Sequence, residues 1–178
     1  MERNPADGVV DVPDGSRVDV YVAIGSNIEP LQNVRRALSL LRERFGELLV
    51  SKAYLNPAVG FAGDDFVNLV VGLRTSRPAG EVVAMLRDIE ETCGRPRAAP
   101  KWAARQMDLD ILLYGDRVAD EPGLELPRPD LLRRAYMLRP LAEIAGEVVH
   151  PVVRQTIAAL WQSFDREAHP LTEIALGE

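Results

Sequence analysis

Cysteine is almost missing from this chain of 178 residues, which holds only Cys93. A lone thiol cannot close an internal disulfide, so the fold demands no oxidising compartment and a cytoplasmic location is the default expectation. Cys93 follows Leu86 and Ile89 at helical spacing, the setting of a buried thiol more than of a reactive one. Histidine is nearly as scarce: His150 and His169 are the two present, both in the C-terminal part, where structural or merely exposed roles suffice. No stretch approaches the ~18 apolar residues of a membrane helix, and residues 1 to 16 contain no apolar core of secretory length. Phosphate-loop, dinucleotide-fingerprint, protein-kinase, H-E-x-x-H and C-x-x-C patterns are all absent, so any nucleotide must be held by side chains and irregular loops. The RNP1 pattern of RNA-reading sheets is missing too.

What is present suits a soluble globular protein, with 47% hydrophobic and 27% charged residues. A chain of this length folds as one domain that buries roughly 70% of its unfolded surface. The formal charge of -6 argues against a general polyanion-binding face, yet the basic residues are unevenly placed.

We expect a flexible extension over 1 to 16, one domain over 17 to 164 and a poorly ordered tail over 165 to 178. Val18, Val20, Val22 and Ile24 alternate with Asp19, Tyr21 and Ala23, predicting a strand that enters a turn at Gly25-Ser26-Asn27. Pro30 opens a helix whose stripe is Leu31, Val34, Leu38 and Leu41, with Gly46 as its stop. Residues 48 to 54 read as a second strand, 55 to 65 as a long loop, and 66 to 75 as a third strand with Val67, Leu69, Val71 and Leu73 on its apolar face. Ser76 caps a second helix carrying Val82, Val83, Leu86, Ile89 and Cys93, which Gly94 ends. After a basic loop to residue 106, Met107 to Tyr114 form the fourth strand, closed at Gly115-Asp116. The order is βαββαβ, an α+β, ferredoxin-like core with an antiparallel sheet. A proline-rich irregular segment and a terminal helix through Ile157, Leu160, Trp161 and Phe164 follow.

The fourth strand carries Asp108 and Asp110 two positions apart, so both carboxylates leave one face while Leu109, Ile111 and Leu113 leave the other. An isolated pair of this kind can be a solvated face. Two carboxylates about 7 Å apart along a strand can equally hold a hard divalent cation whose shell phosphate oxygens complete. The neighbourhood favours the cation: Arg95, Arg97, Lys101 and Arg105 crowd the preceding loop with Trp102, and Arg128, Arg133, Arg134 and Arg139 follow the strand. Guanidinium groups on both sides of a carboxylate pair match a metal and polyphosphate ligand. Phosphoryl transfer runs on positioning and charge stabilisation, so it needs no covalent nucleophile.

Taken in order, Ala23-Ile-Gly-Ser-Asn27, Tyr54 with Pro57 and Gly60, Phe66-Val-Asn68, Trp102 with Arg105, Asp108-Leu-Asp-Ile-Leu-Leu-Tyr-Gly115 and Arg134-Ala-Tyr-Met-Leu138 resemble the 6-hydroxymethyl-7,8-dihydropterin pyrophosphokinases of folate biosynthesis. The resemblance covers about residues 18 to 160. It implies attack of the pterin hydroxymethyl oxygen on the β-phosphorus of ATP, release of AMP, and two Mg2+ ions bound with ATP. Carried over residue by residue, Asp108 and Asp110 are the metal ligands, while Arg95, Arg97, Lys101 and Arg105 are catalytic, with Arg105 stabilising transition-state charge. Asn56, Pro57, Val59, Phe66, Asn68, Trp102 and Tyr136 contact the pterin. Arg87, Glu90, Arg97, Lys101, Trp102, Arg105, Ile111, Arg128 and Arg134 contact the nucleotide. The loops 55 to 65 and 94 to 106 are expected to close over both substrates. A monomer is the default expectation, and the charge, the missing RNP1 pattern and the lack of long apolar runs leave no nucleic-acid or membrane partner expected.

Five positions depart from the family's common pattern. Arg128 stands where a histidine is frequent, Ala103-Ala104 where Gly-Pro is frequent, Phe66 where Tyr is, and Arg87 where a Gln can meet the nucleotide. A catalytically faded relative that only binds nucleotide or pterin is therefore the alternative, opposed by the retained Asp108, Asp110 and Arg105.

Overall fold

The computed structural model describes residues 16 to 57, 64 to 93 and 107 to 177. The predicted alternation appears as β1 (Val18–Ser26), β4 (Phe66–Thr75) and β5 (Asp108–Tyr114), and the predicted helices as α1 (Pro30–Phe45) and α2 (Ala79–Thr92). The expected second strand is interrupted: β2 (Leu49–Val50) and β3 (Ala53–Asn56) are separated at Ser51. There the Ser51 N–H donates to the Val70 carbonyl at 3.0 Å while its hydroxyl accepts from the Val70 N–H at 2.9 Å. One side chain thus replaces a ladder bond and re-aims the strand. Ser76 is not the cap of α2, whose N-cap is Pro78; the side chain that binds backbone at this turn is Thr75, accepting from the Arg77 N–H at 3.0 Å.

β1 is central, antiparallel to β4 on one side and to β5 on the other, and the sheet runs β5-β1-β4-β3. This is the ferredoxin-like arrangement expected of βαββαβ. α1 and α2 cover one face, where Val20, Val22, Ile24, Leu69, Val71, Leu109 and Ile111 join Val34, Leu41, Val82, Leu86 and Ile89 in one core. Cys93 belongs to that core and is buried.

The second face contradicts the expectation of an irregular C-terminal segment. A hairpin of β6 (Ala119–Glu121) and β7 (Leu124–Leu126) leads to a 3-10 turn at Pro129–Leu132 and then to α3 (Ala135–Ala145). α4 (Ile157–Gln162) follows, ending two residues short of Phe164. α3 holds Pro140 in its interior, so the Tyr136 carbonyl loses its helical donor. Burial of Met137, Leu138 and Leu141 against Tyr21, Val70, Leu112 and Leu113 offsets that loss at about 1.5–3 kcal/mol per side chain. Leu113 therefore lies on the opposite face from the one predicted. The β1–β5 register shifts between Tyr21 and Val22, so Leu112 is an extra residue and the alternation reverses after Ile111.

The tail is also ordered differently from the expectation. β8 (Thr172–Ile174) extends the sheet by pairing antiparallel with β3. Arg35 Nε on α1 donates to the Leu176 carbonyl at 2.9 Å, and Ile174 and Leu176 pack on the first core. Of the extension expected over 1 to 16, residues 1 to 15 fall outside the described residues. Among the described residues no helix is long and apolar enough to cross a membrane.

Candidate active site

α3 covers only part of the second sheet face, and the uncovered part is the floor of a cavity of about 640 Å³. Register places its residues side by side: Gly25 on β1 lies between Asn68 on β4 and Asp108 on β5, and Ala23 pairs with Asp110. Small residues on the central strand keep this floor open. A methyl group on Gly25 would come within 2.5 Å of Asn68 Oδ1, so the amide can occupy its place only because residue 25 has no side chain. Asn68 donates through Nδ2 to Asn56 Oδ1 of β3, and Asn56 donates onward to the Pro57 carbonyl at 3.1 Å. Both amides are buried, hydrogen-bonded and aimed at the cavity, which suits recognition of a flat, polar-edged ring.

β5 is the last strand on this side of the sheet, and the cavity passes around it. One lobe is bounded by Asn56, Phe66, Asn68 and Tyr136; the other lies between Val83, Leu86, Arg87 and Glu90 of α2 and the hairpin residues Gly123 to Leu126. Asp108 and Asp110 stand at the ridge between the lobes. The ridge is braced from both sides: Glu90 Oε1 accepts from the Leu109 N–H at 2.8 Å, and the Arg128 N–H donates to the Leu112 carbonyl at 3.0 Å. Glu90 thus supports the carboxylate strand as well as lining the second lobe. Ile111 lines that lobe while packing in the first core.

Arg128 returns its guanidinium to β5, 3.3 Å from Asp110 Oδ1, and lies 4.0 Å from Asp130. The Asp110 side chain is 22% exposed and that of Arg128 34%, so the pair is wetted on one side and its members can exchange partners. Burial pushes the Tyr136 hydroxyl above its usual value; Arg134 opposes the rise, while Asp130, Asp108 and Asp110 add to it. Tyr136 accordingly remains a neutral ring with an O–H donor at the mouth of the first lobe.

Of the predicted site residues, the fold gathers Asn56, Phe66, Asn68, Arg87, Glu90, Asp108, Asp110, Ile111, Arg128 and Tyr136 around one cavity. Pro57 and Arg134 line a neighbouring cleft of about 170 Å³, which shares Asn56 and Tyr136 with the first and is walled by Ala168 to Leu171. Arg139 is directed elsewhere, its guanidinium 4.6 Å from the centre of the Tyr54 ring, and Arg133 is exposed away from both cavities. Val59, Arg95, Arg97, Lys101, Trp102 and Arg105 lie outside the described residues. Sequence reasoning missed the hairpin, Asp130, the tail wall and the part Gly25 plays under Asn68. For Gly25 the signal was present, since the residue stands inside an otherwise β-branched and apolar strand. For the tail wall no local signal exists.

The donor set fits a small, hard cation. It consists of two carboxylates on one strand, and among the described residues no group of three or more His, Cys, Asp or Glu could make a complete protein cage. Magnesium is commonly held in this way, by one or two carboxylates with water and substrate phosphates filling the remaining positions.

A family model described as 7,8-dihydro-6-hydroxymethylpterin-pyrophosphokinase matches residues 21 to 146. The chain is similar to the 2-amino-4-hydroxy-6-hydroxymethyldihydropteridine pyrophosphokinases of Aquifex aeolicus, at 33% identity over 78% of this chain and 87% of that one, and of Pseudomonas aeruginosa, at 38% over 74% and 83%. The Synechocystis enzyme of the same name is 37% identical over 81% of this chain and 75% of its own. Among solved structures, Plasmodium falciparum HPPK-DHPS with pteroate superposes with a TM-score of 0.65 at 13% identity, a likeness of fold. That match covers 83% of this chain and 42% of the longer Plasmodium chain. The chain belongs to the 7,8-dihydro-6-hydroxymethylpterin-pyrophosphokinase family.

Proposed function

We propose that this protein transfers the pyrophosphoryl group of ATP to the hydroxymethyl oxygen of 6-hydroxymethyl-7,8-dihydropterin, a step of folate biosynthesis. The observation that carries the proposal is the paired carboxylate ridge of Asp108 and Asp110 between an amide-floored lobe and a second lobe against α2. Family membership supports the same reading. The pterin oxygen bonds to the β-phosphorus, the bond from that phosphorus to the oxygen bridging to the α-phosphate breaks, AMP leaves, and the hydroxyl proton passes to solvent.

Asn68 and Asn56 hold the pterin edge, with Phe66 and Tyr136 against its faces and Pro57 and Val59 beside it. Asp108 and Asp110 would hold two magnesium ions, which when bound supply Lewis-acid polarisation and charge neutralisation at the phosphates. Arg87, Glu90 and Ile111 bound the nucleotide lobe. Arg128 and Arg134 neutralise phosphate charge, together with Arg95, Arg97, Lys101 and Arg105 of the basic loop, and Trp102 closes over both ligands. The same reading makes residues 17 to 164 the catalytic unit of a cytoplasmic monomer.

The test is incubation with ATP, magnesium and the pterin, following nucleotide products. AMP that appears only with pterin is the expected result. ADP instead of AMP would mean simple phosphoryl transfer, and pterin binding without nucleotide turnover would mean that catalysis has been lost.

A further inference from the structure

Arg128 is held in an unusual way for a residue expected to serve only the nucleotide. Its backbone N–H is fastened to the Leu112 carbonyl of β5 at 3.0 Å, and its side chain then folds back onto the same strand, 3.3 Å from Asp110. The return is incompletely satisfied: Arg128 Nε is buried and has no hydrogen-bond partner among the described residues. Asp130, two residues on, lies 4.0 Å from the other end of the guanidinium. The arm is therefore tethered at its root, ion-paired at its tip, and left with one donor that no described residue accepts from along its length.

We infer that Arg128 is an internal counter-cation that occupies the Asp110 carboxylate while no nucleotide is bound, keeping the carboxylate ridge weak for free divalent cations and yielding it when metal and polyphosphate arrive together. This rests on Asp108 and Asp110 being the metal site. The physical reason is competition for one acceptor: a guanidinium on Asp110 Oδ1 and a dication at the same oxygen repel one another, so either excludes or weakens the other. A polyphosphate removes the conflict. It supplies oxygens for the metal and an alternative acceptor for the guanidinium, including the unused Nε donor. Asp130 keeps the arm near the ridge during the exchange. The consequence is selection for the metal–nucleotide complex over the free metal ion.

The experiment measures binding of Mn2+ alone to the nucleotide-free full-length protein, from the electron paramagnetic resonance signal of unbound Mn2+. Arg128→Gln, and Arg128→Met as a second variant that keeps the apolar stem, are compared with the parent and with Asp110→Asn. The expected result is Mn2+ binding about fivefold tighter in the Arg128 variants and absent in Asp110→Asn, with affinity for a non-hydrolysable ATP analogue weakened in the Arg128 variants. Opposite movement of metal and nucleotide affinity is a signature that a merely structural arginine would not produce. Unchanged or weaker Mn2+ binding in both folded Arg128 variants, or none by any of the proteins, overturns the inference. Mn2+ binding that persists undiminished in Asp110→Asn would instead remove the metal assignment itself.

Discussion

Asp110 meets two demands through one carboxylate: it forms an ion pair with the Arg128 guanidinium at 3.3 Å and faces the cavity where a polyphosphate would lie. Asp110→Asn keeps the shape and removes the charge. We expect turnover to fall by about a hundredfold or more while stability stays within about 1 kcal/mol of the parent, because a partly exposed ion pair contributes little to folding. Near-normal AMP formation in that variant would sink the metal assignment. Gly25 is the second decisive position. Gly25→Ala places a methyl 2.5 Å from Asn68 Oδ1, and the amide has to move because β1 is held by strand pairing on both sides at this position. KM for the pterin should rise about tenfold, equivalent to ~1.4 kcal/mol, with KM for ATP unchanged. Equal rises in both constants would show general distortion of β1 in place of a local effect. The carboxylate spacing and the amide were legible in sequence because strand alternation places residues two apart on one face. The Arg128–Asp110 pair was not, since a residue eighteen positions downstream returns only through the hairpin between them.

At the scale of elements, the clearest lesson lies in the C-terminal third. Prolines 127, 129 and 140 argue against helix, and tertiary burial overrides them: α3 forms because Leu138 and Leu141 fill the second sheet face. β8 was invisible for a different reason. Three residues are too few to show a period, and the strand exists only because β3 presents an unpaired edge. Truncation after Phe164 should therefore uncover that edge and release Ile174 and Leu176 from the core. A fall in melting temperature of about 5 °C or more is expected, with increased self-association through β3. Since residues 168 to 171 wall the cleft shared with Asn56 and Tyr136, KM for the pterin should rise more than KM for ATP. An unchanged melting temperature and unchanged kinetics would mean that the strap contributes nothing.

For the whole molecule, stability against acid has one identifiable histidine contribution. His150 is buried, and its Nδ1 accepts from the N–H groups of Val152 and Val153, both at 3.2 Å, so the ring is neutral with its proton on Nε2. Burial holds its pKa below 6.5. The unfolded chain then binds the proton more readily than the native one, so this contribution is complete above 6.5 and is lost as pH falls below it. Urea unfolding of the parent and of His150→Ala should show a gap of about 1–3 kcal/mol at roughly pH 7.5 that narrows by roughly pH 5.5. A gap that widens toward acid would reverse the assignment. The strands β1, β4 and β5, the two helices on the first sheet face and the Asp108–Asp110 pair were determined by sequence alone, because strand and helix periodicities act over a few residues and side-chain direction follows from them. The second sheet face, the two-lobed cavity, the clasp of Arg128 on Asp110 and the strap of β8 on β3 were decided only by tertiary structure. Each depends on residues brought together across long stretches of chain, where burial and an unpaired strand edge outweigh local propensity.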